Sequence, residues 1–417
     1  MSSTSTTATA SALLAEIADV GRDAVRGGYT RRVFDPAELE LRAWFTDHAV
    51  ALGLDVRLDG NGNLWAWWGA PGPDAVVTGS HLDSVPGGGA FDGPLGVVSA
   101  LAAVARLRSA GFTPSRPFAV AVFAEEEGSR FGVACLGSRL LSGAIDADRA
   151  LALADADGVT FAAALTAAGL DPTRAGLDEA ALARIGVFVE LHVEQGRDLV
   201  DRGVAIAVAT GILAHGRWRL RFTGSGNHAG TTPMTDRHDP VVAAAAAILA
   251  TRHRGTAALS RTMQGEASAA AAPRATVGRI EVIPGGTNVI ASLAELWLDV
   301  RADGEAAVRE LVAAIGDDAR AAAKLEGCAF ELHEESFAPQ VTFDPAVRDR
   351  IAGVLGGPPL IPTAAGHDAG ILAGRVPTAM LFVRNPSGVS HAPDEFAGEE
   401  DCELGVDALV AVLEDLL

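Results

Sequence analysis

Short, mainly apolar runs that alternate with helical segments are the feature that most restricts how this chain can fold. Three of these runs are Ala75–Thr78, Phe118–Ala124 and Val187–Leu191, and a helical pattern, Leu95–Arg108, lies between the first two. Strands with near-continuous apolar runs are typical of parallel sheets, because helices cover both of their faces. The alternation therefore predicts an α/β domain with a mainly parallel sheet.

A different pattern begins at about residue 212. Its predicted elements are strand Arg217–Thr223, a helix from Val241 to about Arg252, strands Thr276–Ile283 and Leu293–Arg301, a helix from about Glu305 to Lys324, and strand Ala329–His333. The order strand-helix-strand-strand-helix-strand is that of a ferredoxin-like βαββαβ domain. We therefore predict an inserted domain at residues 212–336, with residues 1–211 and 337–417 forming one larger domain.

The charge balance restricts the partners of the chain. Its 53 acidic and 33 basic residues give a net charge of −20, which repels nucleic acid and anionic lipid, so we expect neither as a partner. No apolar run approaches the roughly 20 residues that cross a bilayer. The polar segment Ser2–Ala10 does not resemble a secretory signal. The scattered cysteines Cys135, Cys328 and Cys402 have no metal-ligand spacing, so we expect a cytoplasmic protein with reduced thiols.

Polar clusters follow the ends of the predicted strands, where open α/β sheets place their sites. They are His81 and Asp83 in Gly79–Pro86, Asp92 in the glycine-rich loop Gly87–Gly93, Glu125 to Glu127 in Ala124–Phe131, His192 in Glu190–Gly196, and His391 in Ser387–Pro393. Three histidines and several carboxylates at successive strand ends suit a pair of divalent metal ions with water as the nucleophile.

Two of these clusters also suggest roles for single residues. Asp83 follows His81 by two residues, so on an extended chain its carboxylate could accept the second ring N–H and orient the imidazole. The three adjacent glutamates would repel one another at a buried strand end unless a cation compensated them. Adjacent carboxylates can also divide their work, one binding metal and the other transferring protons.

Each cluster by itself has a simpler interpretation. A single histidine at a strand end is commonly structural, the glycine-rich loop could bind a phosphate, and the glutamate run could be a solvated helix start. The combination of all five clusters favours the metal site.

Six motifs resemble the hydantoinase/carbamoylase group of amidohydrolases, within the clan of di-zinc aminoacylase-like peptidases. They are GSHLDSVPGGGAFDGPLGV, AEEEGSRFG, ELHVEQG, GSGNHAGTTPM, PGGTNVI and SGVSHAPDE, and they occur in the family's order. The group includes allantoate amidohydrolase, N-carbamoyl-L-amino acid hydrolase and β-ureidopropionase. The resemblance implies two divalent ions per subunit, with Zn²⁺ as the first candidate and Mn²⁺, Co²⁺ or Ni²⁺ as alternatives.

The resemblance also implies a role for each matching residue in the metal site. One ion would be held by His81, Asp92 and His192, and the other by Asp92, Glu127 and His391, with Asp92 bridging the two. Glu126 would be the general base that deprotonates the attacking water and then protonates the leaving nitrogen.

The remaining matches concern the substrate. His228 would polarise the scissile carbonyl from the other subunit of a homodimer, so the resemblance makes the inserted domain a dimerisation domain. The strand-helix order of this domain leaves sheet edges free, and strand Arg217–Thr223 could face the partner with such an edge. Asn288 and Arg301 would bind the substrate carboxylate; without the motifs, His228 is simply a loop histidine and Arg301 a surface residue. Gln195 and His367 would line the pocket.

Allantoate is the first substrate expected, followed by N-carbamoyl-L-amino acids, while N-formyl and N-formimino amino acids stay open. A metallo-aminopeptidase or dipeptidase would need neither HVEQG nor NHAGTTPM. A non-catalytic binding module should have lost Glu126, Asp92 or His391, and all three are present. Arg384 departs from the small or apolar residues usual before SGxSH and could alter which substrate tail is accepted.

Overall fold

The computed structural model describes residues 9–263 and 269–417. The prediction made on the polar N-terminal segment therefore lies largely outside the described residues. The chain divides into two compact units. The larger unit runs to Gly211 and continues in Thr342–Ile361 and Ala365–Leu417, and the inserted unit consists of Ile212–Val341 with Pro362–Ala364.

The strands of the described residues are numbered in chain order. They are β1 Asp55–Leu58, β2 Leu64–Trp68, β3 Ala75–His81, β4 Phe118–Phe123, β5 Ile185–Val193, β6 Ile206–Ile212, β7 Ala214–Thr223, β8 Asn227–His228, β9 Arg274–Ile283, β10 Val289–Ile290, β11 Leu293–Ala302, β12 Ala329–Ala338, β13 Val341–Thr342, β14 Leu360–Thr363 and β15 Thr378–Val383.

The α-helices are numbered in the same way. They are α1 Ala10–Glu16, α2 Pro36–Ala51, α3 Pro94–Ser109, α4 Leu136–Ser142, α5 Ala147–Leu151, α6 Phe161–Ala167, α7 Glu179–Leu182, α8 Asp198–Arg202, α9 Pro240–Met263, α10 Glu305–Leu325, α11 Pro345–Val354, α12 Asp368–Leu372 and α13 Glu399–Leu416. No helix among the described residues is both long and apolar enough to span a membrane.

The larger unit is built on one sheet with the strand order β1-β2-β4-β3-β5-β15-β6-β13, and β14 pairs with β6. The four central strands, β4, β3, β5 and β15, are parallel to one another. The flanking pairs β1-β2, β2-β4 and β15-β6 are antiparallel. The predicted α/β class with a mainly parallel sheet is therefore confirmed.

The central strands are mainly apolar because both faces of the sheet are covered. Val120 and Val189 join a core that also contains residues of α1, α2, α3 and α13. On the opposite face, Phe123 packs edge-on against Phe188 with ring centroids 5.7 Å apart. Successive side chains of a strand point to opposite faces, so apolar residues at every position are stabilised only in a sheet buried on both sides.

The inserted unit contains an antiparallel sheet with the order β12-β7-β11-β9. Its two long helices, α9 and α10, supply buried residues to the same core as β7 and β11, and β11 alternates between buried and half-buried positions, as expected for a sheet with one covered face. This is the predicted ferredoxin-like arrangement. The predicted end at residue 336 cuts through β12, which pairs with β7 as far as Ala338.

One expectation about this sheet is wrong. The strand predicted as Arg217–Thr223 is β7, and it pairs with β11 on one side and β12 on the other. Its backbone groups are therefore already used within the sheet, and it cannot add a strand from a partner. In the described part of the inserted unit, the outer strands are β9 and β12.

Gly96, in the first turn of α3, shows how closely that helix approaches the sheet. A Cβ at this position would lie 2.3 Å from the carbonyl oxygen of Leu191 and 2.7 Å from Cβ of Ser80. Both neighbours belong to central strands, so they cannot move aside without disturbing strand pairing. Glycine is therefore required where α3 crosses β3 and β5.

We expect Gly96→Ala to lower the free energy of unfolding by about 1–3 kcal/mol, because overpacking forces the backbone to shift. Gly353→Ala is the matched control, since an added Cβ in exposed α11 meets no atom within 4 Å. That control should be more stable than the wild type by about 0.5–1 kcal/mol. Urea unfolding followed by circular dichroism measures both changes, and a Gly96→Ala variant as stable as the wild type would contradict the tight packing.

Candidate metal centre

The predicted metal ligands meet at one edge of the parallel sheet. β3 ends at His81, Glu125 to Glu127 directly follow β4, and β5 contains His192. The loop that carries His391 follows β15. Because these four strands are parallel, their carboxyl ends lie side by side.

Two sets of three potential ligands share Asp92. In the first set, Oδ1 of Asp92 lies 3.2 Å from Nε2 of His192 and 3.5 Å from Nε2 of His81. In the second set, Oδ2 of Asp92 lies 3.5 Å from Nε2 of His391, which in turn lies 3.3 Å from Oε2 of Glu127. The two oxygens of one carboxylate therefore face two different clusters, which is the arrangement of a bridging ligand.

The two buried imidazoles are oriented by backbone carbonyl groups. Nδ1 of His81 lies 3.0 Å from the carbonyl oxygen of Asp83, and Nδ1 of His192 lies 2.9 Å from that of Val193. A proton on Nδ1 satisfies each carbonyl and leaves Nε2 as the acceptor beside Asp92, where Nε2 of His192 accepts the backbone N–H of Gly93 at 3.2 Å. Nε2 of His81 is buried without a hydrogen-bond partner among the described residues. A metal ion would satisfy that atom, so these residues fit the implied ions.

Gly93 allows the His81 ring to sit beside the start of α3. Its φ is +82°, and a Cβ at this position would lie 2.4 Å from Cε1 of the His81 ring. Any other residue would therefore displace the ring as well as strain the backbone. The glycine after Asp92 is thus part of the architecture of the site.

Asp83 holds the glutamate segment more directly than it holds His81. Its carboxylate accepts hydrogen bonds from the backbone N–H groups of Glu126, at 3.2 Å, and Glu127, at 3.1 Å. The same carboxylate is 3.5 Å from Nδ1 of His81, farther than the Asp83 carbonyl oxygen. The predicted orienting role is therefore carried out mainly by the Asp83 backbone, because its side chain turns towards the end of β4.

The three adjacent glutamates point in different directions, which lowers their mutual repulsion. Glu125, in a left-handed conformation with φ +54°, accepts hydrogen bonds from the N–H groups of Arg130 and Phe131. Glu127 faces His391, and Oε2 of Glu126 lies 3.6 Å from Nε2 of His81. One carboxylate therefore supports the loop, while the other two face the ligand cluster.

The electrostatics of the cluster favour bound cations. Burial raises the pKa of Glu126 and of Glu127 well above the usual value. Burial by itself would raise the pKa of Asp92. The neighbouring rings of His192 and His81 have the larger effect and hold that pKa well below its usual value. Burial would lower the pKa of His81, but Glu126, Asp83 and Asp92 raise it well above normal. Protons thus compensate the crowded carboxylates, and divalent ions can take over this compensation.

Further residues that sequence reasoning did not select support Asp92. Oε1 of buried Glu395 accepts the backbone N–H groups of Phe91, at 3.0 Å, and Asp92, at 2.9 Å. Ser390 donates a hydrogen bond to Oδ2 of Asp92 at 3.2 Å. Both residues belong to the motif SGVSHAPDE around His391. Their place in that motif is the feature of the sequence that could have pointed to them. Gln195, predicted to line the pocket, donates to the same Asp92 oxygen at 2.7 Å.

The loop that carries His391 is shaped by another unselected residue, Asn385. Its side chain accepts hydrogen bonds from the N–H groups of Ser387 and Gly388 and donates one to the carbonyl oxygen of Val389. His391 itself has φ +57°, a conformation that a non-glycine residue keeps only when its surroundings impose it. The fixed loop places this half-exposed imidazole next to Asp92 and Glu127.

His367 lies deeper than a residue that only lines a pocket. It precedes α12, is buried, and its ring centroid is 4.5 Å from that of His192. Burial and the neighbouring His192 hold the pKa of His367 well below the usual value, so it is neutral at physiological pH.

The position of Arg384 in the sequence suggested a contact with the substrate tail, but its partner in the structure is Asp401. Its guanidinium donates hydrogen bonds to both carboxylate oxygens of Asp401, at 2.9 and 2.8 Å. The side chain therefore ties the end of β15 to α13. This contact uses Nε and Nη2 of Arg384.

The inserted unit contains the other three residues predicted to bind substrate. His228 and Asn288 are neighbours, because β8 pairs with β10 and the N–H of Ala229 donates to the carbonyl oxygen of Asn288. Both side chains are exposed. Arg301 lies near the far end of β11, where its guanidinium donates to both carboxylate oxygens of Asp299 and to the carbonyl oxygen of Ala364.

Comparisons with known proteins agree with this arrangement. The sequence profile of Peptidase family M20/M25/M40 matches residues 77–415. N-carbamoyl-L-amino acid amidohydrolase of Geobacillus stearothermophilus is 36% identical over 95% of this chain and 95% of its own length. Allantoate amidohydrolase of Escherichia coli (strain K12) is 32% identical, over 94% and 93%. A solved structure, an amidase of the hydantoinase/carbamoylase family from Burkholderia multivorans, superposes with a TM-score of 0.84 at 29% identity and 98% coverage of each chain.

The motif resemblance is thereby confirmed over nearly the whole chain, and the fold agrees with it. The chain belongs to the M20/M25/M40 peptidase family and, within it, to the hydantoinase/carbamoylase amidohydrolases.

Proposed function

We propose that this chain is a metal-dependent amidohydrolase that cleaves a non-peptide C–N bond in a small ureido or amide compound with a carboxylate group. The observation that carries the proposal is Asp92, whose two oxygens face two separate sets of ligand atoms. The buried carboxylate of Glu126 lies beside them. Relatives at 36% and 32% identity are named as amidohydrolases, which supports the same reaction class here.

The donor atoms suit two divalent ions. Imidazole nitrogens and carboxylate oxygens are ligands that Zn²⁺, our first candidate, and Mn²⁺, Co²⁺ or Ni²⁺ accept. His81, Asp92 and His192 would hold one ion, and Asp92, Glu127 and His391 the other. When bound, such ions supply the positive charge that acidifies a water molecule and polarises a carbonyl group.

Glu126 is proposed as the group that moves the proton. Its Oε2 faces the ligand cluster and its burial raises its pKa well above the usual value for glutamate. A carboxylate with a raised pKa can take a proton from water and return it to the departing nitrogen, because its affinity for the proton lies closer to that of both partners. Glu127 faces His391 instead and is proposed as a ligand.

Two substrates are proposed for this site, and both carry the chemistry that it requires. Allantoate is the first, and hydrolysis of one ureido arm would release ammonia and carbon dioxide. N-carbamoyl-L-amino acids are the second, and the 36% identity to an enzyme named for that substrate favours them. In both, a carboxylate lies near a ureido carbonyl, so one arrangement of binding groups serves either compound.

The dimensions of the inserted unit argue that two subunits build each substrate site. Asn288 and His228 lie beyond the Leu293 end of β11, whereas Arg301 lies eight residues along that strand. At about 3.3 Å per residue, this separates Arg301 from Asn288 by roughly 25 Å. One small carboxylate cannot contact both groups of the same chain. We therefore propose that Arg301 acts within its own subunit and that Asn288 and His228 act on the site of the other subunit.

A homodimer formed by the inserted unit would satisfy this requirement. The outer strand β9 exposes Ile280, at 54%, and Ile283, at 49%, and α9 exposes Leu249, at 62%. Apolar side chains along an outer strand and an adjacent helix are suitable for burial against a second copy about a two-fold axis. The exposed position of His228 is compatible with a role outside its own subunit.

A substrate screen of metal-loaded enzyme tests the reaction class. We expect ammonia release from allantoate, from an N-carbamoyl-L-amino acid, or from both, and no free amine from dipeptides. Release of formate would report on N-formyl compounds. Removal of metal by a chelator should abolish turnover and added Zn²⁺ or Mn²⁺ should restore it. Full turnover in a sample shown by elemental analysis to be metal-free, or cleavage of dipeptides alone, would contradict the proposal.

Two neighbouring variants separate the base from the ligand. Glu126→Gln should lower kcat by about 10²–10⁴-fold, the contribution typical of general acid–base catalysis, with metal content near that of the wild type. Glu127→Gln should instead lose metal, because the amide carries no charge to hold the ion. Steady-state kinetics and elemental analysis of both variants check this, and the reverse pattern would mean that the two roles are exchanged.

Mixing inactive variants tests whether two subunits share a site. After subunit exchange between equal amounts of Glu126→Gln and His228→Ala, about half of the dimers are hybrid and each hybrid has one complete site. About a quarter of the wild-type activity should therefore return.

Glu126→Gln mixed with Arg301→Ala is the matched control for this experiment. Both residues are proposed to act within one subunit, so no hybrid site is complete and the mixture should stay inactive. Recovery in the control, or none in the first mixture after verified exchange, would contradict the proposed sharing.

A further inference from the structure

Cys135, at the start of α4, contacts Glu126 through two separate groups. Its backbone N–H donates a hydrogen bond to the carbonyl oxygen of Glu126 at 2.6 Å. Its thiol donates a second one, with Sγ 3.2 Å from Oε1 of the Glu126 side chain. Both the main chain and the carboxylate of Glu126 are therefore held by one residue.

The position of Cys135 is itself strongly restrained. The N–H groups of Leu136 and Gly137 donate to the carbonyl oxygens of Glu125 and Ala124, so the start of α4 lies along the segment that follows β4. Ser138 donates to the carbonyl oxygen of Cys135 and also to the carboxylate of Asp368. Cys135 has φ +56° and is only 2% exposed. Its thiol therefore has a fixed direction.

The two carboxylate oxygens of Glu126 have different surroundings. Oε1 accepts the thiol hydrogen bond, whereas Oε2 lies 3.6 Å from Nε2 of His81, at the ligand cluster. Within residues 9–263 and 269–417, no other side chain donates a hydrogen bond to this carboxylate. The thiol hydrogen bond therefore fixes the orientation of the carboxylate, with one oxygen held by Cys135 and the other at the cluster.

A thiol is chemically suited to this position. Burial raises the pKa of Cys135 well above its usual value, so the group keeps its proton and remains a donor. A thiol is a weak, uncharged donor, so it can orient the carboxylate without neutralising it. A lysine or arginine in the same place would form an ion pair and reduce the carboxylate's ability to accept a proton.

We propose that Cys135 is a positioning residue whose thiol holds Oε1 of Glu126, so that Oε2 is presented to the reacting groups. This inference rests on the proposed role of Glu126 as the group that transfers the proton. A buried cysteine that only fills space would affect stability alone, whereas a positioning residue affects kcat through Glu126.

Kinetics of Cys135→Ala and Cys135→Ser in metal-loaded enzyme separate these two roles. Cys135→Ala should lower kcat about tenfold, the loss expected for one hydrogen bond to a charged group, with KM and metal content unchanged. Cys135→Ser keeps a donor and should stay within about threefold of the wild-type kcat. A wild-type kcat for Cys135→Ala, or an equal loss in Cys135→Ser, would overturn the inference.

Two further variants exclude a general packing effect. Cys402→Ala removes another buried thiol of the same unit, 1% exposed in α13, and should leave kcat unchanged. Cys135→Gly also lacks the donor but suits the left-handed backbone, so it replaces Cys135→Ala if that variant does not fold. A loss of kcat in Cys402→Ala equal to that in Cys135→Ala would overturn the inference.

A double-mutant cycle tests whether Cys135 acts through Glu126. In Glu126→Asp, the shorter carboxylate is withdrawn from the thiol, so adding Cys135→Ala should cost less than about twofold in kcat. Losses that multiply independently would overturn the inference. Failure of the proposed function is seen separately: if Glu126→Gln retains full activity, Glu126 is not the base, whatever the Cys135 variants show.

Discussion

Parallel pairing of four almost entirely buried strands is the constraint on which the rest of the larger unit depends. Because β4, β3, β5 and β15 run in the same direction, the residues that follow them meet at a single edge. The chain can therefore collect His81, Glu126, His192 and His391 from segments up to about three hundred residues apart in the sequence. Close packing of α3 at Gly96 and the sharp turn at Gly93 add Asp92 to the same edge.

The candidate metal centre contains more buried acidic side chains than buried imidazoles, and this excess favours bound cations. Asp83, Asp92, Glu126 and Glu190 are all buried around two buried imidazoles. Each carboxylate is held by particular donors: Asp83 by the N–H groups of the glutamate segment and Glu190 by Ser80 and the N–H of Ala369. These hydrogen bonds fix the geometry without adding a positive charge. The remaining demand for positive charge is what makes the cluster suitable for divalent ions.

The inserted unit imposes a different constraint, which is one of length. β11 is a ten-residue strand with Arg301 near one end and the neighbours of Asn288 and His228 at the other. This separation is the basis of the proposal that Arg301 and Asn288 bind one small substrate from different subunits. Arg301 is also held by Asp299 and Ala364, so the orientation of its guanidinium is fixed within the inserted unit.

The sequence alone determined the α/β class, the ferredoxin-like insertion and the candidate ligand residues that the structure brings together, because apolar periodicity and strand-end motifs are local properties of the chain. Only the tertiary structure decided what depends on long-range contacts. Periodicity could not show that β7 lies inside its sheet, since an inner and an outer strand can have the same alternating pattern. Nor could the motifs show that Glu395 holds Asp92, that Arg384 is bound to Asp401, or that the thiol of Cys135 faces Glu126. Hydrogen bonds between residues far apart in the sequence leave no periodic signal, so only the packed structure reveals which side chains support the site.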